Sequence, residues 1–280
     1  MAKNPLEKWV KKTRGRLVRK WSHYFDVYHR HFARFRGRAV TVVEFGVSYG
    51  GSAQMWREYF GPRARIYGID INPTCKQWEN SWFRVFIGDQ ADRKFLGRIA
   101  EEVGPIDVLI DDGGHKPHEQ IATFEVLYPR VKPGGVYLVE DLHTNYMPDW
   151  GGGYGKPDTF IEYVKGLTDQ LNAFWSEDPR LVVNDFTRST RSIHYYDSII
   201  VMEKGEVTKP RAVHGGVRDW TPREIYDVKL SAAAHLRAAG VAAKERVRSA
   251  ASKVQQKLGG VRLASFAQGR VSTARTRTGK

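Results

Sequence analysis

Apolar residues recur along the first 38 positions at three- and four-residue steps: Leu6, Trp9, Val10, Thr13 and Leu17, then Trp21, Tyr24, Tyr28, Phe32 and Phe35. That spacing predicts an amphipathic helix, or two, reaching to Gly37. Its start is marked by NPLE at 4–7, where an N-cap asparagine precedes proline and glutamate. From residue 39 the pattern changes to short, continuous apolar runs: AVTVVEFGV (39–47), ARIYGIDI (64–71), WFRVFIGD (82–89), IDVLIDD (106–112) and GGVYLVED (134–141). Between them lie helical stretches, SYGGSAQMWREYFG (48–61), ADRKFLGRIAEEVG (91–104) and PHEQIATFEVLYPRV (117–131). Strands that are apolar on both faces, alternating with helices, predict a parallel sheet covered on both sides. Right-handed crossovers then make it a doubly wound, Rossmann-like α/β fold with ligands at the carboxyl ends of the strands.

A glycine-rich loop (147–158) leads to a helical stretch, TFIEYVKGLTDQLNAFW (159–175), and then to SIHYY (192–196) and SIIVMEK (198–204) with only Asp197 between them. A tight or bulged hairpin is expected there. Such a terminal antiparallel pair, completing a mostly parallel seven-stranded sheet, separates class I methyltransferases from most nicotinamide-binding relatives. TPRE (221–224) caps a further helix, Val247, Ala251, Val254 and Leu258 form a narrow stripe on a last basic one, and disorder is expected beyond Gly259. The chain thus divides into a basic helical segment (1–38), a catalytic domain (39–205) and a basic extension (206–280).

Charge sharpens that division. Residues 1–38 carry 12 Lys and Arg against 2 acids and residues 229–280 carry 12 against 1, so the net +14 resides in the ends and the middle is acidic. Basic ends suit anionic partners such as a phospholipid surface or nucleic acid, while the composition, 41% hydrophobic and 27% charged, is that of a soluble globular protein. No apolar stretch has the length of an export signal core or a membrane span. The single cysteine, Cys75, excludes an internal disulfide. A cytoplasmic protein is expected, able to meet the inner membrane face through its ends.

The first strand-to-helix turn, EFGVSYGGS (44–52), has Gly46, Gly50 and Gly51 where backbone must approach a ligand closely. It lacks the dinucleotide spacing. Instead Glu44 precedes the loop and could accept from the amine of an amino-acid moiety, Asp70 ends the second strand where a carboxylate takes ribose hydroxyls, and Asp89 and Gln90 end the third beside an adenine position. Ser48 and Asp111 complete this candidate cofactor set.

Asp111 and Asp112 end the fourth strand, and Glu140 and Asp141 end the fifth. Acids gathered at neighbouring strand ends repel one another unless a cation or proton compensates, and an all-oxygen set suits Mg²⁺ or a similar hard ion. Adjacent strand residues face opposite ways, so Asp111 and Asp112 should differ in role. His115 projects from the following loop as a candidate general base, whereas His118 lies inside the helix, which argues against a two-histidine iron site.

KWSHYFDVYHRHF (20–32), EFGVSYGGSAQMW (44–56), IDDGGH (110–115), GGVYLVEDLHTNY (134–146) and TFIEYVKGLTDQLN (159–172) together resemble the metal-dependent sugar O-methyltransferases of antibiotic tailoring. These are the macrocin and mycinamicin type, related to enzymes called rhamnosyl O-methyltransferase or cephalosporin hydroxylase. The resemblance implies S-adenosylmethionine bound by Glu44, Gly46, Asp70 and Asp89, Mg²⁺ held by Asp112, Glu140 and Asp141, and His115 as base. The acceptor it implies is a glycosylated small molecule or a glycolipid, with His143, Tyr146 and Trp150 in the loop after the acids as candidate contacts. An RNA methyltransferase using the basic ends and a hydroxylase-type oxidoreductase are the competing expectations, nucleic acid being the weaker partner. The basic helices are also open to building a homo-oligomer.

Overall fold

The computed structural model describes residues 4–216. Met1–Ala212 forms one compact unit, to which every element described belongs. The helices expected around 221–224 and 247–258 lie outside the described residues.

Strands β1 (Thr41–Phe45), β2 (Arg65–Asp70), β3 (Phe83–Ile87), β4 (Ile106–Asp111), β5 (Val131–Val139), β6 (Thr190–Tyr196) and β7 (Ile199–Lys204) form one sheet in the order β3-β2-β1-β4-β5-β7-β6. The first five are parallel, and β7 is antiparallel to both β5 and β6. The expected Rossmann-like class I architecture is therefore present. The order reverses between β1 and β4, which opens a crevice at their carboxyl ends. The hairpin turn takes two residues, Asp197 and Ser198, rather than Asp197 alone, and Ser198 enters the left-handed region (φ 63°).

Side chains alternate across the sheet as a pleated strand requires. Val42, Val108, Ile110, Val136, Leu138 and Val201 face one core, with α1 (Pro5–Lys12), α2 (Tyr24–Phe32) and α3 (Gly51–Phe60). Val43, Leu109, Tyr137, Val139, Ile200 and Met202 face the other, with α4 (Arg93–Val103), α5 (Pro117–Leu127) and α6 (Phe160–Leu171). A short α7 (Asp185–Ser189), which carries no periodic signal of its own, leads into β6.

The N-terminal segment is built into the first of these cores. Asn4 caps α1 by accepting from the Leu6 amide, as its sequence predicts, and Tyr28 and Phe32 of α2 are buried against Trp56 and Phe60 of α3, with buried Tyr24 edge-on to Tyr28. The apolar spacing does not continue as helix between α1 and α2. Residues 13–23 form an irregular strap in which Leu17 is 64% and Trp21 50% exposed. The strap crosses the start of α3 so closely that a Cβ on Gly51 would lie 2.1 Å from the Leu17 carbonyl oxygen, and the Arg16 amide donates to Gln54 Oε1. Instead of a helical ladder the segment makes local bonds, such as the Gly15 amide to the Thr13 hydroxyl, and the single side-chain bond to α3.

Phe32→Ala should cost about 3–5 kcal/mol in urea unfolding; a loss below about 1 kcal/mol would show that α2 is not part of the cooperative core.

Candidate functional site

Sheet register decides which acids meet. Glu44 pairs with Ile110, and Asp111 pairs with Val139, so Glu44, Asp112 and Glu140 fall on the same side of the sheet at its carboxyl edge. That side carries the N-terminal segment, and the strap delivers Lys20 into the acids. Its ammonium group lies 2.5 Å from Asp112 Oδ2, 2.9 and 3.0 Å from the two oxygens of Glu140, and 3.6 Å from Glu44 Oε1. The lysine side chain is only 2% exposed. Burial works against its charge, but the three carboxylates outweigh burial and hold the amine well above the usual lysine range. Burial and the charge of Asp112 keep Glu140 well above the usual carboxylate range even so. The cluster therefore favours a proton or a further cation beside the one ammonium group.

Asp141 lies on the other side of this group in the left-handed region (φ 53°), which turns its carboxylate back toward Asp112. Its Oδ1 accepts from the Tyr24 hydroxyl (2.7 Å) and Trp21 Nε1 (3.2 Å). His115, also left-handed (φ 58°), places Nε2 3.6 Å from Asp141 Oδ2 and 4.0 Å from Asp112 Oδ1. Asp112, His115 and Asp141 each bring a ligand atom within 4.8 Å of the others. His115 Nδ1 is buried without a hydrogen-bond partner. Two carboxylate oxygens without a hydrogen-bond donor, gathered within 4.8 Å of one another and of the imidazole, fit a hard divalent cation.

Two adjoining cavities run along the strand ends. The larger, about 640 Å³, is bounded by the strap, the glycine-rich turn and the acids, with Asp112, His115, Asp141, His143 and Trp150 in its wall. The smaller, about 150 Å³, is bounded by Asp89, Gln90, Gly113 and Ile71, the last 70% exposed. Gly46, Asp70 and Gly113 border both. Gly46 is left-handed (φ 85°) and a Cβ there would meet the Asp112 carbonyl at 2.0 Å, so only glycine lets the first turn lie against the fourth strand's end. Asp70 Oδ2 accepts from the amides of Val47 and Ser48 and Oδ1 from Asn72, which fixes the turn. The combined space is that of a nucleoside-sized ligand reaching from Asp89 to the acids.

The other sequence candidates divide between wall and interior. Ser48, left-handed at φ 49°, lines the larger cavity, while Gly50 caps α3 from φ 73°. Glu44 and Asp111 line neither cavity. Glu44 accepts from Ser52 Oγ (2.6 Å) and Trp56 Nε1 (2.8 Å). Asp111 lies on the opposite face of the sheet from Asp112, where Gln90 Nε2 (2.7 Å) and the Tyr137 hydroxyl (3.3 Å) donate to it. Gln90 also accepts from the Gly114 amide, so its side chain braces the loop before His115. Tyr146 is half exposed and lies outside the cavity wall, unlike His143 and Trp150. Lys20, Trp21, Tyr24 and Ser198 were not in the sequence-derived set. Ser198 accepts from the Leu142 amide through its carbonyl and from the His143 amide through its hydroxyl, tying the hairpin turn to the loop after the acids.

This topology with acids and a glycine turn at its switch point defines a class I methyltransferase domain. Residues 43–142 match the family described as a methyltransferase domain. A Streptomyces olivaceus 8-demethyl-8-alpha-L-rhamnosyl tetracenomycin-C 2'-O-methyltransferase is 37% identical over 69% of this chain and 52% of its own length. Mycinamicin VI 2''-O-methyltransferase from Micromonospora griseorubida is 36% identical over 72% and 52%. The solved MycE methyltransferase of the mycinamycin biosynthetic pathway, in complex with Mg and SAH, superposes with a TM-score of 0.64 at 33% identity, covering 79% of this chain and 57% of that one. Residues 43–142 therefore carry a methyltransferase domain similar to that of these sugar O-methyltransferases, and the chain spans about half the length of the curated relatives it matches.

Burial pushes the Asp111 carboxyl up to about 6, against the donors from Gln90 and the charge of His115. A folded-state value above the unfolded one, about 3.9, means the folded chain holds that proton more tightly. Its contribution is complete below pH 4 and is lost as pH rises through 6. Thermal melts from pH 4 to 8 should therefore show wild type losing stability relative to Asp111→Asn, with the difference levelling above pH 7; parallel curves would remove the assignment.

Proposed function

We propose that the chain is an S-adenosylmethionine-dependent O-methyltransferase that methylates a sugar hydroxyl of a glycosylated natural product with the help of Mg²⁺. The observation that carries this is the pair of unfilled oxygens on Asp112 and Asp141, facing His115 Nε2 at the end of a cavity that begins at the glycine turn. The relatives are named for methyl transfer to rhamnosyl and mycinamicin sugar positions, and a related structure was solved with Mg, SAH and Mycinamycin VI.

When bound, S-adenosylmethionine supplies the methyl group and Mg²⁺ the positive charge that makes an alcohol acidic. The chain's own residues do the rest. Asp70 and the turn from Gly46 to Gly50 orient the cofactor's ribose and amino-acid portions, and Asp89 with Ile71 borders its base. Asp112 and Asp141, with Glu140 behind them on Lys20, hold the cation. His115 Nε2 takes the acceptor proton, and orienting both substrates in one cavity can lower the barrier by about 7–11 kcal/mol without a covalent intermediate. Trp150, whose ring centroid is 5.9 Å from that of His115, and His143 border the acceptor space.

The cavity wall carries four acids, Asp70, Asp112, Glu140 and Asp141, against the two cations Arg19 and Lys20. A neutral glycoside suits that balance better than a polyanionic RNA. His115 is the one histidine of the metal-capable group at this site, which disfavours an iron hydroxylase. Among the described residues no helix is long and apolar enough to cross a membrane. Contact with an anionic membrane surface, if the acceptor is a glycolipid, would fall to the basic ends.

Calorimetric titration of S-adenosylhomocysteine, in EDTA and in excess Mg²⁺ with NAD as control, should give saturable binding of the first and none of NAD; the reverse would end the methyltransferase reading. Asp112→Asn should abolish methylation of a deoxysugar glycoside while leaving S-adenosylhomocysteine affinity near wild type, and parallel loss of both would remove the separate metal role. His115→Ala should lower turnover far more than divalent-cation affinity, and a wild-type rate would sink the base assignment.

A further inference from the structure

We infer that the strap and the first residue of α2 are the positioning apparatus of the metal site, acting through Lys20, Trp21 and Tyr24. The inference rests on the metal reading above and concerns residues that are not themselves proposed as ligands. The acids are divided oxygen by oxygen. On Asp112, Oδ2 receives the Lys20 ammonium at 2.5 Å and Oδ1 is left toward His115. On Asp141, Oδ1 receives Tyr24 and Trp21, and Oδ2 is left toward His115. Each carboxylate is thus held by its outer oxygen and presents its inner one.

A carboxylate with both oxygens free rotates about its terminal bond, and two such groups side by side turn away from each other. Donors fixed on one oxygen of each remove that freedom. Tyr24 does more than hold a side chain, because its hydroxyl also accepts from the Asp141 amide at 3.2 Å. One hydroxyl therefore fixes both the carboxylate and the left-handed backbone that turns it inward. Tyr24 can do so because α2 is buried, and Lys20 and Trp21 follow because they immediately precede it. None of the three belongs to the βα units that carry the acids. The consequence is that cation affinity depends on whether residues 13–23 are in place over α3.

The test is Mn²⁺ titration followed by electron paramagnetic resonance on the full chain, with S-adenosylhomocysteine affinity measured in parallel. Tyr24→Phe, which removes a single oxygen, should weaken Mn²⁺ binding about 10–100-fold, the range for loss of a group that orients a metal ligand, with S-adenosylhomocysteine affinity within about twofold of wild type. Trp21→Phe, which removes the second donor to Asp141 Oδ1 without changing the charge of the site, should weaken Mn²⁺ binding in the same direction. Unchanged Mn²⁺ affinity in Tyr24→Phe, or equal loss of both ligands, overturns the positioning role. No Mn²⁺ binding by wild type would instead remove the metal reading on which it rests.

Discussion

Glu44, Asp112 and Glu140 are brought to one side of the sheet by strand register alone, and at that depth three carboxylates without a counter-ion would be untenable. Desolvating a single ion costs several kcal/mol even after relaxation. Lys20 is what makes the arrangement stable, and it comes from outside the repeating βα framework. The docking of α1 and α2 is for this reason part of the same problem as the site. Trp56 shows the connection most directly, since its indole nitrogen donates to Glu44 while its ring packs on Tyr28 and Phe32.

A comparison within the molecule separates a cluster that is satisfied from one that is not. His31, His194 and Glu203 also bring ligand atoms within 4.8 Å of one another. There, His31 Nδ1 bonds Glu203 at 2.9 Å, Nε2 bonds the Tyr196 hydroxyl at 2.8 Å, and Arg34 pairs with Glu203 at 3.1 Å. Both nitrogens and the charge are used, so the group closes on itself as a partly buried polar network between α2 and the hairpin. At the strand ends the balance is different. Oδ1 of Asp112, Oδ2 of Asp141 and Nδ1 of His115 all keep bonding capacity in hand.

Much of this was legible in the chain. Continuous apolar runs such as VTVVEF and VYLVED can only be strands covered on both faces, and they located the acids at the carboxyl edge. What periodicity could not separate was helix from strap: Leu17 and Trp21 keep the helical spacing of Leu6 and Tyr24 yet lie in a segment held by α3. Lys20 escaped for a related reason, since one lysine among 12 basic residues at that end carries no mark of burial. The roles of Asp111 and Asp112 were separable in principle, because adjacent strand positions face opposite sides. Which of them faced the cavity needed the register with Glu44 and Val139.

Three residues that border the larger cavity, Ser48, His115 and Asp141, hold left-handed backbones without being glycine, and Ser198, which braces the loop beside it, is a fourth. Each such residue costs on the order of 1–3 kcal/mol that the rest of the fold must cover. Asparagine and glycine adopt that conformation more readily than other replacements. Drift at Asp141 therefore runs downhill toward residues that relax the chain while discarding the charge. In a lineage released from selection for methyl transfer, the site should decay into a better-folded, chemically silent binding domain, and stability would rise as activity disappeared.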